Sequence, residues 1–249
     1  MDVRRFLDAS GTLVWTMTTN GYKFYTLNLA QSLRNLALPW KLCVVCVDRE
    51  SQAFLRGQGV DCVLYGEQIP RGQLDMSTWH TETFHRITRF KLSIMNELVG
   101  NPDVKLLAYL DGDIVVKQDF VPYMWSNLKP DTWTFQCDEN SEVACSALTD
   151  CPNFCTGCIL FKKGPSDQPN PFMVDMKLWN TCKGNHDQEY VQKRIRELGL
   201  PFETLDRHLF PNGKMIKHAT TPYLRHYNYR VGSSKKTGMK GRGDWYIPY

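Results

Sequence analysis

The sequence lacks long apolar runs. No stretch of about 18 or more apolar residues occurs in the 249 residues, so the chain offers no candidate for a membrane-spanning helix. The N-terminal MDVRRFLDASG carries two arginines, but no apolar segment typical of a secretory signal follows them. We therefore expect a cytoplasmic protein of bacterial or viral-host type, unless the chain was trimmed from a longer one.

The sequence also lacks internal repeats, low-complexity runs and any linker that would divide it. With 42% hydrophobic and 22% charged residues, its composition is that of a globular protein. A chain of this length buries enough apolar surface to fold without disulfide or metal staples. We expect one α/β domain over residues 1–249.

Nine cysteines are present, an odd number in a long chain, which argues against a disulfide scaffold. Four of them fall within the segment CSALTDCPNFCTGC: Cys145, Cys151, Cys155 and Cys158. Their spacing is not the usual pair of zinc knuckles. We predict free thiols there and keep structural zinc as the alternative.

Acidic residues are scarce in the last part of the chain. From Lys214 onward, eight lysines and arginines stand against a single acid, Asp244. Such a tail is typical of a phosphate-binding segment, a nucleic-acid patch or a solvated terminus. Aromatic residues are interleaved in YLRHYNYR and GDWYIPY, which favours a tail that packs against the rest of the protein.

The loop that follows the first predicted strand has one glycine, Gly21, and does not contain the pattern Gly-x-Gly-x-x-Gly. This disfavours a Rossmann dehydrogenase. The first half alternates buried strands with helical segments, which predicts a parallel sheet covered by helices on both faces. The predicted strands of this half are residues 12–18, 41–48, 60–66 and 104–116, and the helices are 22–36, 51–59 and 81–99. In the second half we predict strands at 132–138 and 157–164, helices at 171–182 and 186–199, and an extended segment at 202–210.

The motif Asp111-Gly112-Asp113 follows the apolar part of the fourth strand. In open α/β sheets, ligands bind outside the carboxyl ends of the strands. The two carboxylates could form a solvated turn, a general acid–base pair, or a site for a hard divalent cation, for which Gly112 allows close approach. Mn²⁺ or Mg²⁺ held by few protein ligands keeps open positions that phosphate oxygens fill.

Several motifs in this order resemble one known family. They are TMTTNGYKFYTLNLAQSL, YLDGDIVV, FCTGCILFKKG, NHDQEYV, LFPNG and HYNYRVGSSKKTGMK. The chain resembles the nucleotide-sugar-dependent glycosyltransferases of the GT-A fold, and most closely the nucleotide-diphospho-sugar transferases that include plant cell-wall xylosyl- and galactosyltransferases. The resemblance implies a Rossmann-like, mostly parallel central sheet with helices on both faces. It also implies that the Asp-x-Asp motif binds the metal and the donor diphosphate.

The resemblance further implies a set of residues around the donor. They are Thr18, Thr19, Asn20 and Tyr22 after the first strand, Asp48 after the second, Arg89 and Lys91 on the third long helix, and Gly157 beside the sugar. From the residues alone, Asp48 could equally cap a turn. Arg89 and Lys91 could equally be exposed helix charges.

The family also implies a late histidine as third metal ligand, together with Asp111 and Asp113. We prefer His226 to His218, because Gly232 and Lys235 follow His226 as in the family's pattern. A lysine there would neutralise the β-phosphate as the sugar leaves. The alternative for either histidine is a packed or surface side chain.

Asp187 and Gln188 open a predicted helix, where an aspartate can simply complement the helix dipole. The resemblance instead places both beside the transferred sugar, and makes Asp138 and Glu139 candidates for contacting donor sugar or acceptor. It favours retention of configuration. The residues themselves leave this open, since Asp138, Glu139 or Asp187 could serve as the base of an inverting enzyme.

We therefore expect a Mn²⁺- or Mg²⁺-dependent glycosyltransferase that moves a sugar from a nucleoside diphosphate, UDP, to a hydroxyl of a glycan acceptor. Residues 1–116 would form the nucleotide-binding half, and residues 117–249 the acceptor-binding half with the C-terminal metal and phosphate segment. A nucleotidyltransferase would use the aspartates for phosphoryl transfer, but TTNGYKF is a poor match to its glycine-rich basic loop. A nucleic-acid-binding module would leave the Asp-x-Asp motif unexplained, so we expect no nucleic-acid partner. Donor sugar, acceptor and oligomeric state stay open.

Overall fold

The computed structural model describes residues 1–66, 82–139, 153–182, 184 and 186–249. Its strands are β1 Thr12–Thr18, β2 Leu42–Cys46, β3 Cys62–Leu64, β4 Leu106–Leu110, β5 Ile114–Val116, β6 Trp133–Cys137, β7 Phe154–Lys162, β8 Phe202–Leu205 and β9 Leu224–His226. Its α-helices are α1 Lys23–Leu36, α2 Arg49–Gly57, α3 Glu82–Gly100, α4 Val121–Asn127, α5 Met176–Trp179, α6 Asp187–Glu197 and α7 Ser233–Lys240. Short 3₁₀ helices lie at Arg4–Phe6, Asn20–Tyr22 and Ile216–His218.

Within the described residues, seven strands form the central sheet in the order β3-β2-β1-β4-β7-β6-β8. All neighbouring pairs are parallel except those made by β7, which runs antiparallel to both β4 and β6. The predicted mostly parallel α/β sheet is thus confirmed. Because β4 of the first half pairs with β7 of the second, both halves of the chain share one sheet.

Alternate residues of the central strands pack on opposite faces of the sheet. On β1, Leu13 and Trp15 belong to a core with buried residues of α3 and α6. Val14 faces the other way, into a core with residues of α1 and α4. A central strand that is covered on both sides has apolar residues on both faces, which explains the nearly continuous apolar runs in the sequence.

The structure corrects the predicted fourth strand. Residues 104–116 do not form one strand, because the backbone turns at Asp111, whose carbonyl accepts a hydrogen bond from the Ile114 amide at 3.0 Å. The segment after this turn, β5, leaves the main sheet and pairs antiparallel with β9 in a separate two-stranded sheet. The acidic motif therefore forms the turn at which the chain passes from the central sheet to the two-stranded sheet.

In the second half, one predicted helix was too long and one helix was not predicted. The helix predicted over residues 171–182 is only the four-residue α5, which begins after Asp175 caps it by accepting from the Lys177 and Leu178 amides. The basic tail contains an α-helix that we did not predict, α7. The tail does pack down, as its aromatic residues indicated, since Trp245 and Tyr246 contact buried apolar clusters.

Candidate active site

The acidic motif lies at the point where the chain connections diverge across the sheet. β2 and β3 lie on one side of β1, and β4 lies on the other. The carboxyl ends of such neighbouring parallel strands form a crevice in which ligands bind. Asp111 is the first residue after β4, and the loop of Thr19 and Asn20 follows β1. The crevice therefore brings these two predicted segments to the same edge of the sheet.

Asp111, Asp113 and His226 form the cluster of possible metal ligands in the described part of the chain. One ligand atom of each lies within 4.8 Å of the others. His226 Nε2 is 3.4 Å from Asp113 Oδ1 and 3.7 Å from Asp111 Oδ2. The pairing of β5 with β9 puts His226 opposite Ile114, next to Asp113. His218, the alternative, is exposed in a 3₁₀ helix and lies outside this cluster.

A hydrogen-bond relay fixes the orientation of the His226 ring. The amide nitrogen of Gln136 donates to the Phe210 carbonyl at 3.0 Å, which turns its amide oxygen toward His226 Nδ1, 2.6 Å away. Nδ1 of a neutral ring must then carry the proton, so Nε2 presents its lone pair. Metal-bound histidines have an outer partner of this kind. The buried Gln136 therefore leaves the Nε2 lone pair of His226 directed at the two carboxylates.

The residues present fit a first-row divalent cation. Two carboxylate oxygens and one imidazole nitrogen are a donor set that Mn²⁺ accepts, and Mg²⁺ binds through carboxylates. Three protein ligands leave coordination positions for phosphate oxygens. The Gln136 relay adds the outer-sphere orientation that such sites use. We therefore treat this cluster as a candidate metal centre.

Lys235 forms a buried ion pair with Asp113. Its ammonium also donates to the Tyr22 hydroxyl at 3.1 Å. Burial alone would raise the pKa of Asp113, but the charge of Lys235 and its hydrogen bond lower it, and the pKa lies below its usual range. Asp113 is thus ionised at neutral pH. The contact joins the first turn of α7 to the loop after β1, across the acidic motif.

Lys91 is buried as well, so its reading as an exposed helix charge was wrong. Its ammonium lies 2.7 Å from Asp187 Oδ2 and 3.5 Å from Asp111 Oδ1, and donates to the Thr156 carbonyl at 2.6 Å. Desolvation would lower the pKa of Lys91, but Asp111 and Asp187 raise it. Lys91 therefore links α3 to the acidic motif and to the first residue of α6.

The charges of this centre nearly balance. Asp111, Asp113 and Asp187 contribute three carboxylates, and Lys91 and Lys235 contribute two ammonium groups. With His226 neutral, one negative charge is left over. A divalent cation would reverse that to one positive charge, which suits an anionic diphosphate.

The backbone at Gly157 lies directly against the cluster. A Cβ there would lie 2.2 Å from His226 Cε1 and 2.5 Å from Asp111 Oδ2. The Gly157 carbonyl also accepts from the Asp111 amide at 2.7 Å, next to the antiparallel pairing of β4 with β7. Only glycine fits between both side chains at this position.

Gly112 is constrained in the same way by α1. A Cβ at Gly112 would lie 2.8 Å from Thr26 Oγ1. Thr26 in turn donates to the Thr18 hydroxyl at 2.9 Å. The acidic turn therefore lies directly against the start of α1 and the end of β1.

Asp48 has the capping role that we considered as the alternative. One carboxylate oxygen accepts from the Ser51 amide at 2.7 Å, at the start of α2. The other accepts from the Asn20 amide at 2.9 Å. Asp48 is buried and holds the loop after β1. A donor contact of Asp48 stays a prediction, as do those of Thr18, Thr19, Asn20 and Tyr22.

The remaining predicted residues are more dispersed. Arg89 lies on α3 with its guanidinium 5.9 Å from the centre of the Trp179 ring, outside the metal cluster. Gly232 has a left-handed backbone (φ 57°) before α7, and its carbonyl accepts from the Tyr25 hydroxyl. Cys155 and Cys158 are buried free thiols, whereas Cys145 and Cys151 lie outside the described residues.

A second polar group lies around Asp138 and Gln188. Gln188 Nε2 donates to Asp138 Oδ2 at 3.0 Å, and the Tyr229 hydroxyl donates to Asp138 Oδ1 at 2.8 Å. These three residues, with Glu139, line a cleft of about 370 Å³. Asp187 precedes Gln188 on α6 and is buried toward the metal cluster. The first turn of α6 therefore contacts the surroundings of the metal cluster through Asp187 and the cleft through Gln188.

Sequence reasoning missed several residues that hold this site. Gln136 orients His226, Thr156 donates to Asp187 Oδ2 at 2.7 Å, and the Tyr109 hydroxyl donates to Asp111 Oδ1 at 2.6 Å. Tyr109 had a usable signal, because residues two apart on a strand share a face. Gln136 and Thr156 had none, since their positions depend on how β6 and β7 pair with distant strands.

Solved structures of glycosyltransferases share this fold. The galactosyltransferase LgtC, solved with donor and acceptor sugar analogues, is 14% identical with a TM-score of 0.59, covering 94% of this chain and 97% of its own. Mouse xyloside xylosyltransferase 1 is 12% identical with a TM-score of 0.55, covering 88% and 98%. A glycosyltransferase involved in glycosylation of the major capsid of PBCV-1 is 11% identical with a TM-score of 0.53, covering 91% and 98%. At these identities, the likeness establishes the fold.

The family follows from the sequence itself. No curated relative matches the chain, but the family profile described as nucleotide-diphospho-sugar transferase matches residues 40–239. That range covers most of the chain and includes the acidic motif, Gly157, Asp187, His226 and Lys235. The protein is therefore a glycosyltransferase, and it belongs to the nucleotide-diphospho-sugar transferase family.

Proposed function

We propose that the protein transfers a sugar from UDP to a hydroxyl of a glycan acceptor, with retention of configuration and with Mn²⁺ or Mg²⁺ bound by Asp111, Asp113 and His226. The observation that carries the proposal is the convergence of these three ligands at the crevice beyond β1 and β4. They come from two separate segments, and a buried relay orients the histidine. A turn exposed to solvent would need neither a histidine from a distant segment nor a buried hydrogen-bond relay behind that histidine.

A divalent cation held by Asp111, Asp113 and His226 would supply positive charge that stabilises the leaving diphosphate. Two buried ammonium groups of the protein support the same task. Lys235 lies against Asp113, and Lys91 lies between Asp111 and Asp187. Charges fixed before the reaction stabilise a leaving anion without reorganisation. Lys235 would thus assist departure of UDP, and Lys91 would hold Asp111 and Asp187 in place.

Two of the three carboxylates considered as a base, Asp187 and Asp138, suit retention better than inversion. A general base works best when its pKa is close to the working pH. Burial would raise the pKa of Asp187, but the charge of Lys91 and hydrogen bonds from Lys91 and Thr156 lower it. Both carboxylate oxygens of Asp138 already accept hydrogen bonds, from Tyr229 and Gln188. We therefore assign Asp187 and Gln188 to positioning the transferred sugar, Asp138 to the boundary between that sugar and the acceptor, and the acceptor proton to the departing phosphate.

The chain divides its tasks between its halves. Residues 1–116 would bind the nucleotide, through the loop after β1 and the Asp-x-Asp motif. Residues 117–249 would supply His226, Lys235 and the acceptor side. Because β4 and β7 are paired in one sheet, we propose a single domain with the reaction at the seam between the halves.

Titration of UDP into the protein tests the donor side. We expect binding in Mn²⁺ or Mg²⁺ that is lost in a chelator, and weaker binding of GDP. Turnover of a panel of UDP-sugars, followed by the anomeric proton coupling in the product, tests retention. Equal UDP affinity with and without metal would contradict the metal assignment, and a product of inverted configuration would contradict retention. Release of pyrophosphate from a nucleoside triphosphate would instead indicate nucleotidyl transfer.

A further inference from the structure

The cleft around Asp138 lies next to the proposed sugar site and is separate from the metal ligands. Its volume of about 370 Å³ falls within the range of roughly 300–1,000 Å³ found for small-molecule sites. Gln188 connects it to Asp187, the neighbouring residue on α6. A ligand in this cleft would therefore lie on the acceptor side of the transferred sugar.

Tyr229 is unusual in three respects. Its backbone is left-handed, with φ 61°, a conformation that costs a bulky non-glycine residue free energy and that clusters at functional sites. The residue is 46% exposed to solvent, although large aromatic residues are usually mostly buried. Its hydroxyl lies 2.8 Å from Asp138 Oδ1 and 2.9 Å from the Asp138 carbonyl. An aromatic ring is thus held in a strained position at the edge of the cleft.

A fixed aromatic ring suits one face of a sugar. The axial C–H groups of a pyranose form an apolar surface that packs on an aromatic ring, while its hydroxyls need polar partners at the edge. Asp138 and Glu139 supply such acceptors beside the ring. Each oxygen of a carboxylate has two lone pairs, so Asp138 can accept from a sugar hydroxyl in addition to Tyr229 and Gln188.

The cleft carries a net negative charge. Asp138 accepts from Tyr229 and Gln188, and Glu139 accepts from the Asn153 amide at 2.6 Å. All these donors are neutral, so neither charge is compensated by them. Glu189, also at the cleft, is paired with Lys193 at 2.9 Å. Among the described residues that line the cleft, there is no lysine or arginine, and the nearest cation at Tyr229 is the Lys214 ammonium, 4.4 Å from the centre of the ring. Asp138 and Glu139 together therefore outweigh that single positive charge.

We propose that this cleft is the acceptor site, that it takes an uncharged sugar residue with its C–H face on the side of the Tyr229 ring opposite Lys214, and that Asp138 and Glu139 exclude acceptors carrying a carboxylate, sulfate or phosphate at that residue. The inference rests on the proposed function, because it assigns the acceptor side of the same site. Like charges brought together in a partly buried site repel each other, whereas hydroxyl groups donate to the carboxylates.

Matched sugar pairs test this specificity. Binding of methyl β-glucoside and methyl β-galactoside is compared with that of the corresponding uronides, by saturation-transfer NMR and calorimetry in Mn²⁺ and UDP. Each pair differs mainly in a hydroxymethyl group replaced by a carboxylate. We expect at least one neutral glycoside to bind tenfold or more tightly than its uronide, with a smaller ratio at high salt.

Three variants locate the effect. Tyr229→Ala should weaken binding of the neutral glycoside tenfold or more, and Tyr229→Phe, which keeps the ring, should weaken it less. Glu139→Gln should reduce the preference for the neutral sugar. Glu197→Gln is the matched control, since it removes a carboxylate at the far end of α6 that is paired with Arg194 at 2.8 Å. It should leave the preference unchanged.

The inference is overturned if no neutral glycoside binds, if the uronides bind equally or better, or if Tyr229→Ala binds the glycoside as the unaltered protein does. UDP binding is measured in the same samples. Failure of UDP to bind, with the neutral preference and its dependence on Tyr229 intact, would contradict the proposed donor chemistry and still support the specificity of the cleft.

Discussion

Replacing Gln136 should weaken metal binding without touching a metal ligand. Gln136 is fully buried, and its amide connects the Phe210 carbonyl with His226 Nδ1. Leucine has a similar shape but cannot accept a hydrogen bond from the Nδ1–H group of His226. In Gln136→Leu, nothing at this position would select the tautomer of His226 that presents Nε2 to the metal.

The size of the effect follows from the relay. Loss of an outer-sphere partner of a metal-bound histidine costs about 10–100-fold in affinity, or about 1.4–2.8 kcal/mol. Each of the two former partners would also lose a hydrogen bond in a buried place, at about 1–3 kcal/mol of folding stability, or about 2–6 kcal/mol for both. For a protein of this size, that lowers the melting temperature by roughly 4–24 °C. The variant should therefore fold but bind Mn²⁺ poorly.

The assay is a Mn²⁺ titration followed by the electron paramagnetic resonance of free Mn²⁺. Thr134→Val is the matched control, because Thr134 lies two residues earlier on β6, is buried, and has a hydroxyl without a hydrogen-bond partner among the described residues. Its Mn²⁺ affinity should be unchanged. An affinity of Gln136→Leu equal to that of the unaltered protein, with the fold intact by circular dichroism, would refute the relay.

Three further perturbations follow from the same geometry. Gly157→Ala would place Cβ 2.2 Å from His226 Cε1 and should lower Mn²⁺ affinity tenfold or more; Gly57→Ala, whose Cβ would meet no atom within 4 Å, should not, and equal affinities would contradict the close fit. Asp111→Ala and Asp113→Ala should both abolish metal-dependent transfer, but denaturant unfolding of the metal-free protein should show a larger loss for Asp113→Ala. The reason is that Asp113→Ala leaves the buried Lys235 without its ion-pair partner, which costs about 3–5 kcal/mol of folding stability. The side chain of Asp111 is 34% exposed, so its removal costs less. Equal losses of unfolding free energy in the two variants would contradict this account. Burial would raise the pKa of Asp244, but hydrogen bonds from Tyr227, Lys117 and Arg225 lower it, so its stabilising effect is present above the unfolded pKa of about 3.9 and is lost as the pH falls through the lower folded pKa. Asp244→Asn should flatten that acid-side loss in a series of unfolding curves, and an unchanged slope would show that Asp244 is not its source.

The order of the elements could be predicted from the sequence because local patterns determine it. β1 was predicted at its observed bounds, since a strand buried on both faces is a continuous apolar run between turn residues. Helix α2 began earlier than predicted, because Asp48 caps it from outside the apolar pattern. The turn inside residues 104–116 was missed, since apolar residues continue on both sides of it and only the pairing of β5 with β9 separates them.

Only those site residues that lie in recognisable sequence motifs could be predicted from the sequence. Asp111, Asp113 and His226 were chosen from motifs, and the structure brings them together. The burial of Lys91 and the Gln136 relay were not predictable, because they depend on the antiparallel insertion of β7 between β4 and β6. That insertion sets Thr156 and Gly157 against residues more than forty positions earlier in the chain.

Anomalous X-ray diffraction from crystals grown with Mn²⁺ and UDP would test the central claim most directly. The account predicts a manganese peak at about 2.0–2.3 Å from oxygens of Asp111 and Asp113 and from His226 Nε2, with diphosphate oxygens of UDP on the same ion. A nucleotide bound elsewhere in the protein, or a manganese ion that touches neither aspartate, would contradict it.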